Sequence, residues 1–158
     1  MSSVDLPPGA PMRVSDLFES VGLEAHGPVA WRVRPPAPLP GVYVVARTPN
    51  ARRGCKPEDV RHLPKALKSR WLPEAPVLYI GCTTQPIADR LAQFYQHHYG
   101  DAGPHAGGQH VLLMRYTCPL WVYWAATGRR DPREVEAEML RAFKTENEER
   151  RPFANGTG

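Results

Sequence analysis

The chain is poor in cysteine. Cys55, Cys82 and Cys118 are its only three, an odd count without C-x-x-C spacing, which argues against a disulfide framework and for a reduced, cytoplasmic setting. No apolar run approaches the roughly 18 residues of a membrane helix. Residues Met1 to Pro11 are polar, small and proline-rich, unlike a secretory leader, so neither export nor a membrane is expected. Also missing are a Walker-type glycine loop, a G-x-S-x-G elbow and an H-E-x-x-H pair. Those absences set aside P-loop nucleotide hydrolysis, serine-hydrolase chemistry and zinc proteolysis. What the chain does have is proline, eighteen in 158 residues, which cuts it into short elements. A hydrophobic share of 42% is enough to bury one core.

Charge is unevenly placed. The net formal charge is +4, yet residues 46–76 alone carry eight basic side chains (Arg47, Arg52, Arg53, Lys56, Arg61, Lys65, Lys68, Arg70) against Glu58, Asp59 and Glu74. The stretch before it is slightly acidic and the stretches after it are balanced. Such a segment suits a phosphate backbone, with Arg52, Arg53 and Lys56 as candidate contacts; a merely solvated loop is the plainer alternative.

The periodicities predict a mixed fold. Ser15 can cap a short helix over Asp16 to Val21, ended by Gly22. The Pro35 to Pro40 stretch is a stiff connector into a strand over Gly41 to Ala46. A short helix around Glu58 to Arg70 precedes a second strand, Val77 to Gly81, and Pro86 opens a helix that runs to about Tyr99. After a loop over Gly100 to Gly108, two further strands are expected, His110 to Tyr116 and Leu120 to Ala126. Asp131-Pro132-Arg133-Glu134 starts the last helix with an acidic cap, a proline in the first turn and a capping-box glutamate. The fold class expected is α+β, a small and mainly antiparallel central sheet flanked by helices.

Chemistry-bearing residues stand out against this pattern. On the last helix Val135, Met139, Ala142 and Phe143 form an apolar stripe with Leu140 at its edge, and Glu136 falls inside it. A carboxylate on a packing face needs a partner, a proton or a metal; a structural ion pair with an arginine is the simpler reading. If Val42 and Val44 face the core, Tyr43 faces the other way, and Leu78 and Ile80 place Tyr79 likewise, so neighbouring strands would show both phenols on one surface. Strand tyrosines are also ordinary packing residues. Arg90 and His97 share a flank of the middle helix, and an arginine beside a carboxylate and phenols suits a phosphodiester. His97, His98, His105 and His110 are clustered but fit no four-ligand zinc spacing.

Taken in order, Gly41-Val42-Tyr43, Tyr79-Ile80-Gly81, Arg90, Glu136 within Glu-x-x-Met-Leu, and Pro152-Phe153-Ala154-Asn155 resemble the motifs of the GIY-YIG nuclease superfamily. The resemblance spans Gly41 to Asn155 and divides the chain into an N-terminal extension, 1–40, and a GIY-YIG-like nuclease domain, 41–158, with a basic insertion at 46–76. It implies a metal-dependent endonuclease that hydrolyses DNA. Tyr43 would activate the attacking water or pass on its proton, Tyr79 would order that water and the phosphate, and Arg90 would steady the pentavalent phosphorus. Glu136 would hold one Mg2+, or another divalent cation such as Mn2+, consistent with magnesium's need for only one or two carboxylates. Asn155 would tie down the C-terminal end of the site, and His97 stands on the flank of Arg90 to meet substrate. The chain departs from the pattern in the long basic segment between the tripeptides and in Phe94, where the family often has His, Lys or Tyr. A homodimer or a specificity-giving protein is a possible partner. The alternative is an inactive nucleic-acid-binding module on the same scaffold.

Overall fold

The computed structural model describes residues 12–47, 65–72, 74–103, 108–114 and 119–156. Among them are four strands, β1 (His26–Ala30), β2 (Gly41–Arg47), β3 (Val77–Thr83) and β4 (Leu120–Ala126). Five helices accompany them: α1 (Val14–Glu19), α2 (Lys65–Lys68), α3 (Ile87–Gln96), α4 (Val111–Met114) and α5 (Pro132–Glu146). The sheet is antiparallel with order β1-β4-β2-β3. The chain is thus α+β, as expected from its periodicities.

All seven residues of the central strand β2 are buried, because both faces of the sheet are covered. This explains why Gly41 to Ala46 reads as a continuous apolar run rather than an alternating one. On one face Val42, Val44, Ala46 and Ile80 meet Leu17 and Phe18 of α1 and Val135, Met139 and Phe143 of α5. On the other, Tyr43, Val45 and Leu78 meet Leu91 and Phe94 of α3, Val111 and Leu112 of α4, and Trp71 and Phe153. Fully burying one such aliphatic or aromatic side chain contributes about 1.5–3 kcal/mol.

Three elements differ from the sequence reading. The first helix starts at Val14 with Arg13 as its N-cap, and Asp16 accepts from the Arg13 backbone N–H at 3.1 Å; Ser15 lies inside the helix. The strand expected over His110 to Tyr116 is replaced, over 111–114, by α4; residues 115–118 lie outside the described set. An unbroken apolar run such as Val111-Leu112-Leu113-Met114 has no alternation to separate a strand from a buried helical turn. The sheet position beside β4 is taken instead by β1, whose Gly27-Pro28 reads as a breaker. The strand accommodates the pair through a register shift between His26 and Val29. Gly27 has φ +98, and a Cβ there would lie 2.8 Å from the Trp124 ring and 2.9 Å from the Val122 carbonyl oxygen.

The proline-rich connector serves α3. Ile87 N–H donates to the Leu39 carbonyl at 3.0 Å and Ala88 N–H to the Ala37 carbonyl at 2.9 Å, satisfying first-turn donors that a helix leaves open. Arg34 pairs with Asp89, and the Tyr95 hydroxyl donates to the Val33 carbonyl at 2.8 Å. Residues 12–40 therefore supply a strand, a helix and a helix cap to the same body as the rest. Of the helix expected around Glu58 to Arg70, only α2 falls among the described residues. No helix there is long and apolar enough to cross a membrane.

Candidate active site

Strand register brings the tyrosines together. Tyr43 pairs with Gly81 and Val45 with Tyr79, so both phenols rise from the same face on adjacent strands, one step apart on the diagonal. Their ring centroids are 6.2 Å apart at 47°, and Phe94 of α3 completes the cluster at 6.5 Å from Tyr43 and 5.8 Å from Tyr79. Gly81 is required by this packing: a Cβ there would lie 2.5 Å from Cζ of Tyr43 and 2.7 Å from its hydroxyl oxygen. Tyr79 is covered in the same way by Gly108, where a Cβ would lie 2.7 Å from its Cζ. The face opposite Val42 and Val44 is thus a second core, not an open surface, and Tyr43 is only 1% exposed.

Arg90 arrives from α3 and Glu136 from α5, which cover opposite faces of the sheet. They meet electrostatically because β3 is an edge strand among the described residues, so that no described strand lies beyond it to separate the two layers. Arg90 acts on Tyr43, Tyr79, Cys82 and Glu136 through its charge. Cys82, the residue after Tyr79-Ile80-Gly81, pairs with Val42 on the α5 face, where its thiol and the Glu136 carboxylate influence one another's protonation. The sequence reading passed over Cys82; the strand's alternation carried two residues past Ile80 would have placed it on the Glu136 side. Arg133, exposed in the first turn of α5, is near enough to influence Cys82 as well.

Burial governs the proton chemistry of this cluster. It pushes the Tyr43 hydroxyl up to about 12 even though the Arg90 guanidinium pulls the other way. It raises Tyr79 further, with help from the neighbouring phenol and from Glu136. The Cys82 thiol is held up at about 12 by burial and by the neighbouring Glu136. Glu136 itself lies above the usual carboxylate range through desolvation, against the opposing effects of the Cys82 thiol and Arg90. Both phenols and the thiol therefore keep their protons at neutral pH, and Glu136 is a half-buried carboxylate whose desolvation outweighs the pull of Arg90.

The remaining expected residues separate into positions. Asn155 closes the cluster from below: its side-chain oxygen accepts from the Ile80 N–H and its amide donates to the Ile80 carbonyl, both at 2.9 Å. It works as one more rung on the outer edge of β3, beside the Ala154 N–H to Leu78 carbonyl bond at 2.8 Å. His97 is the half-buried C-cap of α3, seven residues past Arg90 and so about 10 Å farther along the helix axis. Arg52, Arg53 and Lys56 lie outside the described residues.

Of the basic segment, Lys65 and Lys68 are exposed, but Arg47 and Arg70 are engaged structurally. Arg47 is 7% exposed, lies 5.0 Å from the Trp71 ring centroid and donates to the Ala75 carbonyl at 3.0 Å. Arg70 donates to the Asn155 backbone carbonyl at 2.7 Å. Counting charges along a sequence cannot tell these two from a solvated face.

A single half-buried carboxylate, raised by desolvation in spite of Arg90, fits a hard divalent cation that keeps most of its own waters. Among the described residues no three His, Cys, Asp or Glu gather in a way that could hold a metal, and His105 of the histidine cluster lies outside them. His98 pairs with Asp101 at 3.7 Å, and the His110 ring lies 6.4 Å from that of Phe153. No family model, curated protein or solved structure matches the chain.

Proposed function

We propose that this protein is a metal-dependent endonuclease of the GIY-YIG type, acting on DNA with Tyr43, Tyr79, Arg90 and Glu136 in its site. One observation supports this reading above the rest: four residues singled out from four separate elements converge into one electrostatic cluster at the edge strand. Convergence of a cation, a desolvated carboxylate and two phenols is costly for stability alone, since each charge gives up water. Arg90 would bind two oxygens of the scissile phosphate. Tyr79, less buried than Tyr43, would hydrogen-bond the phosphate or the attacking water. Glu136 would hold Mg2+, or Mn2+ in its place. The bound cation supplies Lewis-acid polarisation of a phosphoryl oxygen and charge for the leaving oxygen. Asn155 would keep β3, and with it Tyr79, in register.

Nicking of supercoiled plasmid at low salt, with and without Mg2+, tests the reading. The parent is expected to nick only with Mg2+, and Glu136→Ala to lose nicking while remaining folded and DNA-bound. Full activity in that variant removes Glu136 from the chemistry. Salt-sensitive DNA retention with no nicking by either protein identifies a binding module instead.

A further inference from the structure

We propose that Lys65 and Lys68 of α2, with Arg150 and Arg151 of the C-terminal segment, form one cationic track beside the outer edge of β3 that holds the DNA backbone flanking the bond to be cut. The inference rests on the endonuclease reading for what the track serves, and it adds a binding surface outside the Tyr43, Tyr79, Arg90 and Glu136 cluster. Two segments build it. Lys65 and Lys68 stand one turn apart on α2 and share an exposed face. Arg150 reaches the end of that helix, donating to the Ser69 carbonyl at 2.6 Å across 81 residues of chain. Arg70 returns the contact by donating to the Asn155 carbonyl at 2.7 Å, and Arg151 donates to the Gly156 carbonyl at 2.7 Å. Asn155 then joins both segments to β3 through Ile80, the residue after Tyr79. The track therefore begins beside the strand that carries the proposed site.

The way these arginines are held suits an anionic partner. Arg13, Arg34, Arg130 and Arg133 each face a carboxylate, which offsets their charge. Arg150 and Arg151 are fixed by backbone carbonyls instead. Neither they nor Lys65 and Lys68 form an ion pair among the described residues, and the neighbouring Glu146, Glu148 and Glu149 form none either. A carbonyl orients a guanidinium without neutralising it. Each fork places one nitrogen on its carbonyl, which leaves further N–H donors for phosphate oxygens. All four side chains are exposed, so a backbone lying across them meets every charge. DNA supplies the matching row of closely spaced negative charges. The contacts expected at Arg52, Arg53 and Lys56 came from one stretch of sequence, whereas this surface exists only once α2 and the C-terminal segment are packed together.

Fluorescence anisotropy of a labelled DNA duplex, titrated with the full chain in EDTA at about 50–200 mM salt, tests the track without cleavage. Arg150→Gln/Arg151→Gln is compared with Arg32→Gln/Arg141→Gln, which removes the same charge from two exposed arginines elsewhere. Counterion release contributes about 0.9 of salt slope per phosphate contact. The first variant should therefore flatten the slope by about 1.8 and weaken binding at least about tenfold at about 100 mM salt. The second should stay close to the parent in both. Arg150→Lys/Arg151→Lys keeps the charge and should bind much as the parent does. Equal losses in the two Gln variants would overturn the proposal, because net charge and not this surface would then govern binding. A Lys variant as weak as the Gln variant overturns it too, since the loss then follows the Ser69 and Gly156 bonds. A parent that binds polyglutamate of matched charge as tightly as the duplex assigns the surface to an acidic protein instead, and a parent that does not bind the duplex removes the track outright. Nicking reports separately. Binding that follows Arg150 and Arg151 in a chain that never nicks with Mg2+ keeps the track as a DNA surface and refutes the endonuclease reading. Nicking lost in Glu136→Ala but unchanged in Arg150→Gln/Arg151→Gln at about 100 mM salt keeps that reading and refutes the track.

Discussion

Asn155→Ala isolates the contribution of the C-terminal segment to the site. The native amide occupies both polar groups of Ile80 on the outer edge of β3, each at 2.9 Å. Truncation removes two hydrogen bonds worth about 1 kcal/mol each, and it leaves a part-buried N–H and C=O to find water against the Phe153 side of the sheet. The expected loss is about 2–3 kcal/mol. With a urea slope of about 2 kcal/mol/M for a chain of this size, the denaturation midpoint falls by roughly 1–1.5 M. Asn155→Asp should lose nearly as much, because its second oxygen faces the Ile80 carbonyl where the amide had donated. The Ile80 amide proton, followed by NMR hydrogen exchange, should lose protection in both variants, since its acceptor is removed or its strand loosened. A midpoint shift below about 0.3 M, with Ile80 exchange unchanged, would refute the claim that this side chain serves as the last rung of the sheet.

Other consequences can be measured on the same protein. Gly81→Ala places a methyl 2.5 Å from the buried Tyr43 ring, so it should destabilise by about 1–3 kcal/mol in thermal denaturation and reduce nicking with it; a neutral variant would show that the ring moves freely. His110 has its pKa lowered by burial and then by Arg70. Because its folded value lies below the unfolded one, its contribution is complete above the unfolded pKa of about 6.5 and is lost as pH falls through the folded value. His110→Phe should therefore flatten the stability curve on the acid side of neutrality in pH-dependent urea titrations, and an unchanged slope would count against the assigned burial. Glu148 and Glu149 follow α5 at φ +55 and +63, a left-handed backbone costly for side chains. Glu148→Gly should raise stability by about 0.5–1 kcal/mol, and a loss on substitution would show that the glutamate makes a compensating contact.

Much of the site is legible because its signals are local. The short apolar, β-branched runs at Gly41 to Ala46 and Val77 to Gly81 give the two strands whatever they pack against, and a polar residue within an apolar helical stripe marks Glu136. Asp131 and Pro132 set the start of α5, where Asp131 accepts from the Arg133 N–H at 2.9 Å. The sequence was silent where one local pattern suits two structures. Val111 to Met114 can be strand or helix, and β1 hides behind Gly27-Pro28 because its pairing with β4 overrides a local breaker. Ser15 is a good cap residue, yet the helix begins two residues earlier than that cap predicts because Arg13 and Asp16 close its first turn through one another.

Charge shows the same division. The sequence determined that residues 46–76 are basic, but only the packed chain decided that Arg47 lies beneath Trp71 and that Arg70 serves the Asn155 carbonyl. The sequence likewise determined which residue types could handle a phosphodiester and the order in which they come. Tertiary structure alone decided that Tyr43 is enclosed, that Cys82 faces the α5 side of the sheet, and that Arg90 and Glu136 act on one another around the edge of β3. The reason is physical. Periodicity fixes which way a side chain points from its own element, whereas register, burial and partner choice depend on which elements meet, and those contacts join residues far apart in the chain.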